Sequence, residues 1–494
     1  MLKSNNIDYR DEYRFLPAAG DSQFQIAASR PFEISEIENS DVIFIFGSDL
    51  IREHQNEYLK IRRSFNFNQA RIYALNPYAV RTADIAQKEV VYAPGTDEAV
   101  LCGICLAAIE QNLVDSSQAK GLKEKMSPNN LAEIGKLTGV DVDGFTQLAN
   151  ALVSGTKISF IIGELVAQSL NRENIAVALS NLNKLFRMED KGQITVLAHH
   201  ANSKGAEKLG LAAHPSPAIS KHLNSLWKEQ SEGPANNTDA MLAQMKKEEI
   251  KGFVAVGVNP IRMYPDREFA AEGLERVDFM VACDMFETET TELADVVLPL
   301  CSWAEYDGEY VNLEGRVQGA KKAIKPLYES KLAYEIFDEL SERFGKKLFN
   351  SAEERKGEIS TLLGLNSTIK WPAEYLPVKM ESPQLEKGYP YVLFVGDDPH
   401  HSGHRTEKSP SLLNFCSEAY VELSSALADK LDIEDGESVR VESPVGKVIV
   451  KARISKYLET DVVFMPRNLS STAVTSLLMR KKRLDSVKIT KLEE

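Results

Sequence analysis

Asp41-Val42-Ile43-Phe44-Ile45-Phe46-Gly47 is a short, continuous apolar run closed by glycine, the pattern of a strand buried on both faces of a parallel sheet and followed by a turn. The basic amphipathic stretch Ile51 to Arg63 comes next. A second run, Arg71-Ile72-Tyr73-Ala74-Leu75, is stopped by Asn76-Pro77. Strand, helix and strand in that order make one unit of a Rossmann-like α/β fold. Pro94-Gly95-Thr96-Asp97 then opens a helix carrying Val100 to Leu113. Thr96 is placed to cap its free amides and Asp97 to favour its positive end.

The rhythm resumes at Phe160-Ile161-Ile162-Gly163. Behind it, Ile175, Ala178, Leu179, Leu182, Leu185 and Phe186 recur at helical spacing. Further strands are predicted at Ile194 to Ala198, Gly252 to Gly257, Phe279 to Cys283 and Asp295 to Leu298. This alternation predicts two parallel sheets covered on both faces. A polar excursion over residues 225–245 reads as a surface insertion, and the amphipathic helix Leu332 to Phe344, ended by Gly345, closes the α/β part. Residues 351–388 are charged, proline-containing and weakly periodic, which predicts a linker. Beyond it come short β runs, Tyr391 to Val395, Tyr420 to Leu423, Ser438 to Glu442, Lys447 to Ile454 and Asp461 to Met465, separated by turn signals at Asp435-Gly436 and Pro444-Val445-Gly446. They predict a compact β-barrel. The expected organisation is an α/β region over 1–350 made of two interleaved subdomains, a linker over 351–388 and a barrel over 389–494.

A chain of 494 residues with 43% hydrophobic and 26% charged residues is an ordinary multidomain globular protein. No apolar run approaches the roughly 18 residues that span a bilayer. The polar start Met1 to Asn6 predicts no secretory signal. The net charge of -14 opposes binding to a polyanion, so nucleic acid is not an expected partner. Arg480 to Arg483 reads as a solvated charge run. Five cysteines, at 102, 105, 283, 301 and 416, are too scattered for a disulfide framework or an iron-sulfur site. Cys102 and Cys105 fall inside an apolar helical pattern and read as buried thiols. His400, His401 and His404 have a spacing that can gather metal ligands on a loop, but no metal is assigned. The hydrolase elbow, the zinc-peptidase helix motif and the phosphate-binding glycine loop are all missing.

Specific motifs then identify a family. Asp284 to Pro299, Ala304-Glu-Tyr-Asp-Gly308 and Asn312 to Gln318 together resemble the signature of molybdopterin oxidoreductases. Pro94 to Asp97, Gly257-Val-Asn-Pro260, and Ala201-Asn-Ser-Lys-Gly-Ala206 with Leu209-Gly210 resemble further motifs, the last two favouring the branch that supplies the G subunit of NADH:quinone oxidoreductase, in its C-terminal region. His401-Ser-Gly403, Ala426 to Gly436, Val439-Arg-Val441 and Val445-Gly446 are similar to the family's dinucleotide-binding domain. The resemblance implies Rossmann-like parallel-sheet domains of the formate dehydrogenase/DMSO reductase-like fold followed by a double-psi β-barrel. It also implies a molybdopterin pocket, here vestigial, at Gly47, Asn76, Thr96, Asp97, Gly257, Asn259, Asp284 and His401.

Three departures bear on that pocket. Asn5 to Asp8 resembles the stretch before the family's molybdenum ligand, but Tyr9 to Arg14 follow without a cysteine, leaving Asp8 or Asp11 as the carboxylates at hand. Gly47-Ser48-Asp49 carries an aspartate where relatives carry asparagine. Asn76-Pro77-Tyr78 replaces Asp-Pro-Arg, losing an acid for a guanine edge and a cation for phosphate. Arg316 reads as pinning its own loop to Asp307 or Glu305. The expectation is a chain with no cofactor, metal or catalytic centre of its own. It is a scaffold among the iron-sulfur subunits of the peripheral arm of NADH:quinone oxidoreductase, cytoplasmic and peripheral at the inner membrane. The alternatives are a formate dehydrogenase-like enzyme that binds molybdopterin guanine dinucleotide and is completed by a separate iron-sulfur chain, and a non-redox nucleotide-binding module.

Overall fold

Residues 4, 6–9, 32–167, 169–211, 217–227, 236–365, 372–415, 418–458, 461–469 and 473–492 are described in a computed structural model. Asp11, Cys416 and much of the polar excursion lie outside them, as does the side chain of His404. The chain divides into two compact units, each drawn from two segments: unit 1 is Met1–Gln23 with Ala198–Thr368, and unit 2 is Phe24–Leu197 with Ile369–Glu494.

The first sheet of unit 2 contains β1 (Val42–Phe46), β2 (Arg71–Asn76), β3 (Lys88–Val91), β5 (Ile158–Ile162) and β6 (Gly192–Val196), all parallel, in the order β3-β2-β1-β5-β6. A two-residue strand, β4 (Met126–Ser127), stands apart from it. β1 and β5 are buried along their whole length, as an uninterrupted apolar run requires. Phe44 stacks between Tyr73 and Phe160, with ring centroids 5.1 and 5.2 Å away. Helices Asp97–Glu110, Val142–Ser154 and Arg172–Phe186 join this core. The predicted helix Ile51 to Arg63 is instead broken at His54 into Leu50–Glu53 and Gln55–Asn68.

Unit 1 holds β7 (Gly252–Val256), β8 (Phe279–Asp284) and β9 (Val296–Pro299), parallel and in that order, and an antiparallel hairpin of β10 (Gly308–Val311) and β11 (Val317–Ala320). Helices Thr238–Lys246, Pro260–Met263 and Arg267–Leu274 close one face through Met241, Met245, Ile261, Leu274 and Met280. On the other face Val254 and Phe279 are 45% and 52% exposed. The expectation of two-sided cover therefore holds for unit 2 and fails for this sheet. Its β8-to-β9 crossover contributes only the short helix Glu289–Glu292, leaving that face open among the described residues.

The described parts of the stretch 351–388 include regular structure. They contain a helix, Ala352–Leu363, capped by Ser351. Their later portion packs into unit 2, where Tyr375, Val378 and Met380 enter the core. β12 (Val378–Lys379) pairs in parallel with β4, and the Asn181 amide both donates to and accepts from the backbone of Leu376. Sequence periodicity misses this because the ordering comes from side-chain-to-backbone bonds and not from an amphipathic repeat.

β13 (Tyr391–Gly396), β14 (Tyr420–Ser424), β15 (Ser438–Glu442), β16 (Lys447–Ser455), β17 (Val462–Pro466) and β18 (Asp485–Lys491) form a closed barrel in the order β13-β17-β14-β16-β15-β18. The first five match the short β runs of the sequence. β18 has no counterpart among them, and it closes the barrel by pairing antiparallel with both β13 and β15. The barrel shares unit 2 with the first sheet, and the compact units divide after residues 197 and 368.

Candidate functional site

β1 and β5 run in register, Phe46 beside Ile162, so the loops that leave their ends emerge side by side. Gly47 has φ +65, and a Cβ there would lie 2.3 Å from Val166 Cγ2. A Cβ on Gly163 would lie 2.1 Å from the Cβ of Ser48. Only glycine allows so close an approach. The Ser48 amide donates to Asn76 Oδ1 at 2.8 Å, which brings the end of β2 into the same site. Thr82 Oγ1 donates to Asp49 Oδ1 at 2.7 Å.

Glu53 folds back over this loop from the short helix ended at His54. Its carboxyl accepts from Ser48 Oγ at 2.6 Å, from the Asp49 amide at 3.1 Å and from the Glu164 amide at 3.4 Å. The residue keeps some exposure, but its carboxyl is enclosed by these groups. Burial, and then the neighbouring Glu164 carboxyl, push it up to about 8.

Two arginines tie this site to the barrel in opposite directions. Arg52, on the sheet side, donates to both carboxylate oxygens of Glu422 on β14 at 2.8 Å and meets Asp49 at 3.3 Å. Its guanidinium lies over the Phe464 ring of β17, 4.4 Å from the centroid. Arg467, just past β17, meets Glu164 at 2.8 Å and Asp397 at 3.0 Å. Sequence reading misses Glu53, Glu164, Arg52, Arg467 and Glu422, because charges this far apart along the chain leave no local spacing to read.

The other expected residues have internal partners. Thr96 does not cap its helix: its hydroxyl donates back to the Ala93 carbonyl at 2.7 Å, so the side chain turns away from the helical amides. Asp97 accepts from Tyr92 Oη at 2.7 Å, and burial holds its carboxyl above the usual range against the Tyr92 hydrogen bond and Arg483. Arg483 pairs with the buried Glu98, and Lys482 with Glu386. The solvated reading of that basic run is therefore wrong for Arg483, since the buried Glu98 requires a cation, while Lys482 stays exposed as read. Cys102 and Cys105 are buried in the core as read. His401 Nδ1 accepts from the Gly403 amide at 3.0 Å, and the loop is held by Asp398, which accepts from Tyr420 Oη at 2.8 Å.

Gly257, Asn259 and Asp284 belong to unit 1. Gly257 has φ +61, and its amide donates to Cys283 O. Asn259 donates to Glu289 at 2.6 Å and accepts from Thr290 Oγ1 at 2.7 Å, while Asp284 accepts from the amide of Met285. Asp8 accepts from both the amide and hydroxyl of Thr238. Arg316 is exposed and does not pin its loop as expected: Asp307 instead accepts from the Lys322 amide and faces Lys321, and Glu305 accepts from the amides of Ser302 and Leu327. Among the described residues no helix is long and apolar enough to cross a membrane, and no cluster of three or more His, Cys, Asp and Glu side chains is arranged to hold a metal ion.

Comparison with known proteins agrees with this architecture. Residues 1–343 match the family Molybdopterin oxidoreductase, and residues 397–490 match the Molydopterin dinucleotide binding domain. The chain is 28% identical to the alpha subunit of F420-dependent formate dehydrogenase of Methanocaldococcus jannaschii, over 94% of this chain and 77% of that protein. It is 25% identical to a G subunit of NADH-quinone oxidoreductase of Rhizobium meliloti, over 97% of this chain and 58% of that one. Acetylene hydratase from Pelobacter acetylenicus shares the fold, with a TM-score of 0.70 at 16% identity over 93% of this chain and 81% of that chain. With the greater part of its length and its barrel both matched, the chain belongs to the molybdopterin oxidoreductase family.

Proposed function

We propose that this chain is a non-catalytic scaffold subunit of a multisubunit oxidoreductase, docking iron-sulfur polypeptides in an arrangement like that of the NADH-quinone oxidoreductase peripheral arm. One observation carries this reading: the loop after β1 is closed by the protein's own side chains. The Ser48 amide is bound to Asn76, and the Asp49 and Glu164 amides to Glu53. Arg52 and Arg467 are engaged by carboxylates. A pyrophosphate brought here would meet Asp49, Glu53 and Glu164 with these cations and amides already bound, and desolvating it in such company is unfavourable. The residues of unit 2 do not fit molybdopterin guanine dinucleotide at this loop. Gly47, Asn76, Thr96, Asp97, Gly257, Asn259, Asp284 and His401 are read here as structural residues that outlived the pocket.

A second reading, a molybdopterin enzyme completed by a separate iron-sulfur chain, is favoured by the similarity to the formate dehydrogenase alpha subunit and by the matched dinucleotide-binding domain. The two are separated by purifying the tagged chain from its native membranes and measuring molybdenum, released pterin and co-purifying polypeptides. The scaffold reading expects no stoichiometric molybdenum or pterin and recovery with cysteine-rich iron-sulfur subunits. Stoichiometric molybdenum replaces it with the second reading.

A further inference from the structure

We propose that Glu53 is a proton-operated latch: its neutral carboxyl lets Glu164 hold Arg467 and so keeps the barrel fastened to the sheet of unit 2, and its ionisation loosens that joint. The inference rests on reading the loop after β1 as closed by the protein's own side chains.

The argument begins with charge balance. The groups that face Glu53 are Ser48 and Asp49 from its loop, Tyr78 from beyond β2 and Glu164 from the end of β5. Behind them, on the barrel side, stand Arg467, Asp397 and Glu422. Among these described residues five carboxyl groups, Asp49, Glu53, Glu164, Asp397 and Glu422, meet two guanidinium groups. Arg52 is shared by Asp49 and Glu422, and Arg467 by Glu164 and Asp397. Glu53 is the carboxyl left without a cation.

Its hydrogen bonds suit either protonation state. Ionised, Glu53 accepts from Ser48 Oγ and from the amides of Asp49 and Glu164. Neutral, it keeps the amide contacts and can give its own proton to Ser48 Oγ, since a hydroxyl both donates and accepts. The geometry is thus retained without a second negative charge beside Glu164. When the proton leaves to water, a second buried negative charge stands beside Glu164 with no cation of its own, and opening the joint to solvent relieves it. The upward displacement of the Glu53 carboxyl, to about 8, is consistent with a proton held at neutral pH.

The sign of the effect follows from linkage. The closed joint binds a proton that an opened, hydrated Glu53 releases above the ordinary carboxyl range. Rising pH therefore favours opening, by up to about tenfold per pH unit, levelling where the closed form has itself lost the proton. The test is hydrogen exchange of the full chain across this range, corrected for intrinsic rates and read by mass spectrometry on peptides covering 163–167 and 465–469. Wild type should lose protection at both peptides as pH rises and then level, whereas Glu53→Gln should keep a flat profile. A flat wild-type profile, or parallel loss in Glu53→Gln, overturns the latch. A measurement on wild type alone guards against a variant that does not fold: infrared difference spectra between neutral and alkaline pH should lose a protonated-carboxyl band, and its absence also overturns the proposal. Stoichiometric molybdenum would instead sink the scaffold reading, so the two failures are distinguishable.

Discussion

Arg467 and Glu164 form an ion pair of 2.8 Å with side chains only 4% and 6% exposed, and it fastens the barrel to the sheet of unit 2. Removing Arg467 leaves the buried Glu164 charge uncompensated, at a cost of about 3–5 kcal/mol, whereas removing Glu164 leaves Arg467 its Asp397 partner and costs less. Arg467→Leu and Glu164→Leu should each lower the urea midpoint accordingly. The double variant should be less destabilised than the sum of the two. Additive losses in this double-mutant cycle would show that the pair is not coupled.

Gly163 has no room for a side chain. A methyl group there would press on the Cβ of Ser48 and on the Gly47 carbonyl, 2.1 and 2.6 Å away. Gly163→Ala should cost about 1–3 kcal/mol, the range of overpacked cores. Gly319→Ala, where nothing lies within 4 Å, should leave the melting temperature close to wild type. Equal effects from the two would refute the close approach of the β1 and β5 loops.

Asp41 staples the starts of β1 and β5. It accepts from the Thr156 amide at 3.0 Å, the Thr156 hydroxyl at 2.7 Å and the Lys157 amide at 2.9 Å. Burial opposes ionisation, but these donors outweigh it and hold the carboxyl below its usual range. Stability from Asp41 is therefore present above its unfolded-state value and lost as pH falls through the depressed one. In acid titrations followed by circular dichroism, Asp41→Asn should lie below wild type at neutral pH and converge with it in strong acid.

Cys102 and Cys105 are thiols that burial pushes far up, away from the reactive thiolate. A disulfide-exchange reagent at mildly alkaline pH should leave both unmodified in the native chain. Both should react once the chain is unfolded. Rapid native labelling at either position, located by peptide mass spectrometry, would contradict the buried arrangement.

Much of the α/β frame is legible in the sequence because its signals are local. Val42 to Phe46 and Phe160 to Ile162 are apolar without interruption, and an uninterrupted run has few places to go but the middle of a parallel sheet. The barrel strand Asp485–Lys491 is harder, since its residues follow a basic stretch and its stability comes from two flanking strands distant in sequence. Gly47 and Asn76 emerge as neighbours because strand ends are readable. Of the acids at the Gly47 loop, the sequence points to Asp49 alone. Glu53 is hidden in a stretch that reads as a continuous helix, and the break at His54 that turns it inward has no proline or glycine to announce it.

The insertion of unit 1 between the two segments of unit 2 has a consequence for how the polypeptide is made. Translation delivers β1 to β6 well before the barrel strands, with all of Ala198–Thr368 in between. During that interval Arg52 has not yet met Glu422, and Glu164 waits for Arg467. The ends of β1 and β5 thus leave the ribosome carrying buried-type charges that still lack their counterions, and closing so long a loop is entropically slow. Unit 2 therefore closes only once its second segment has been made, and a ribosome that stops short of Arg467 releases a chain whose first sheet is complete but whose electrostatics are not.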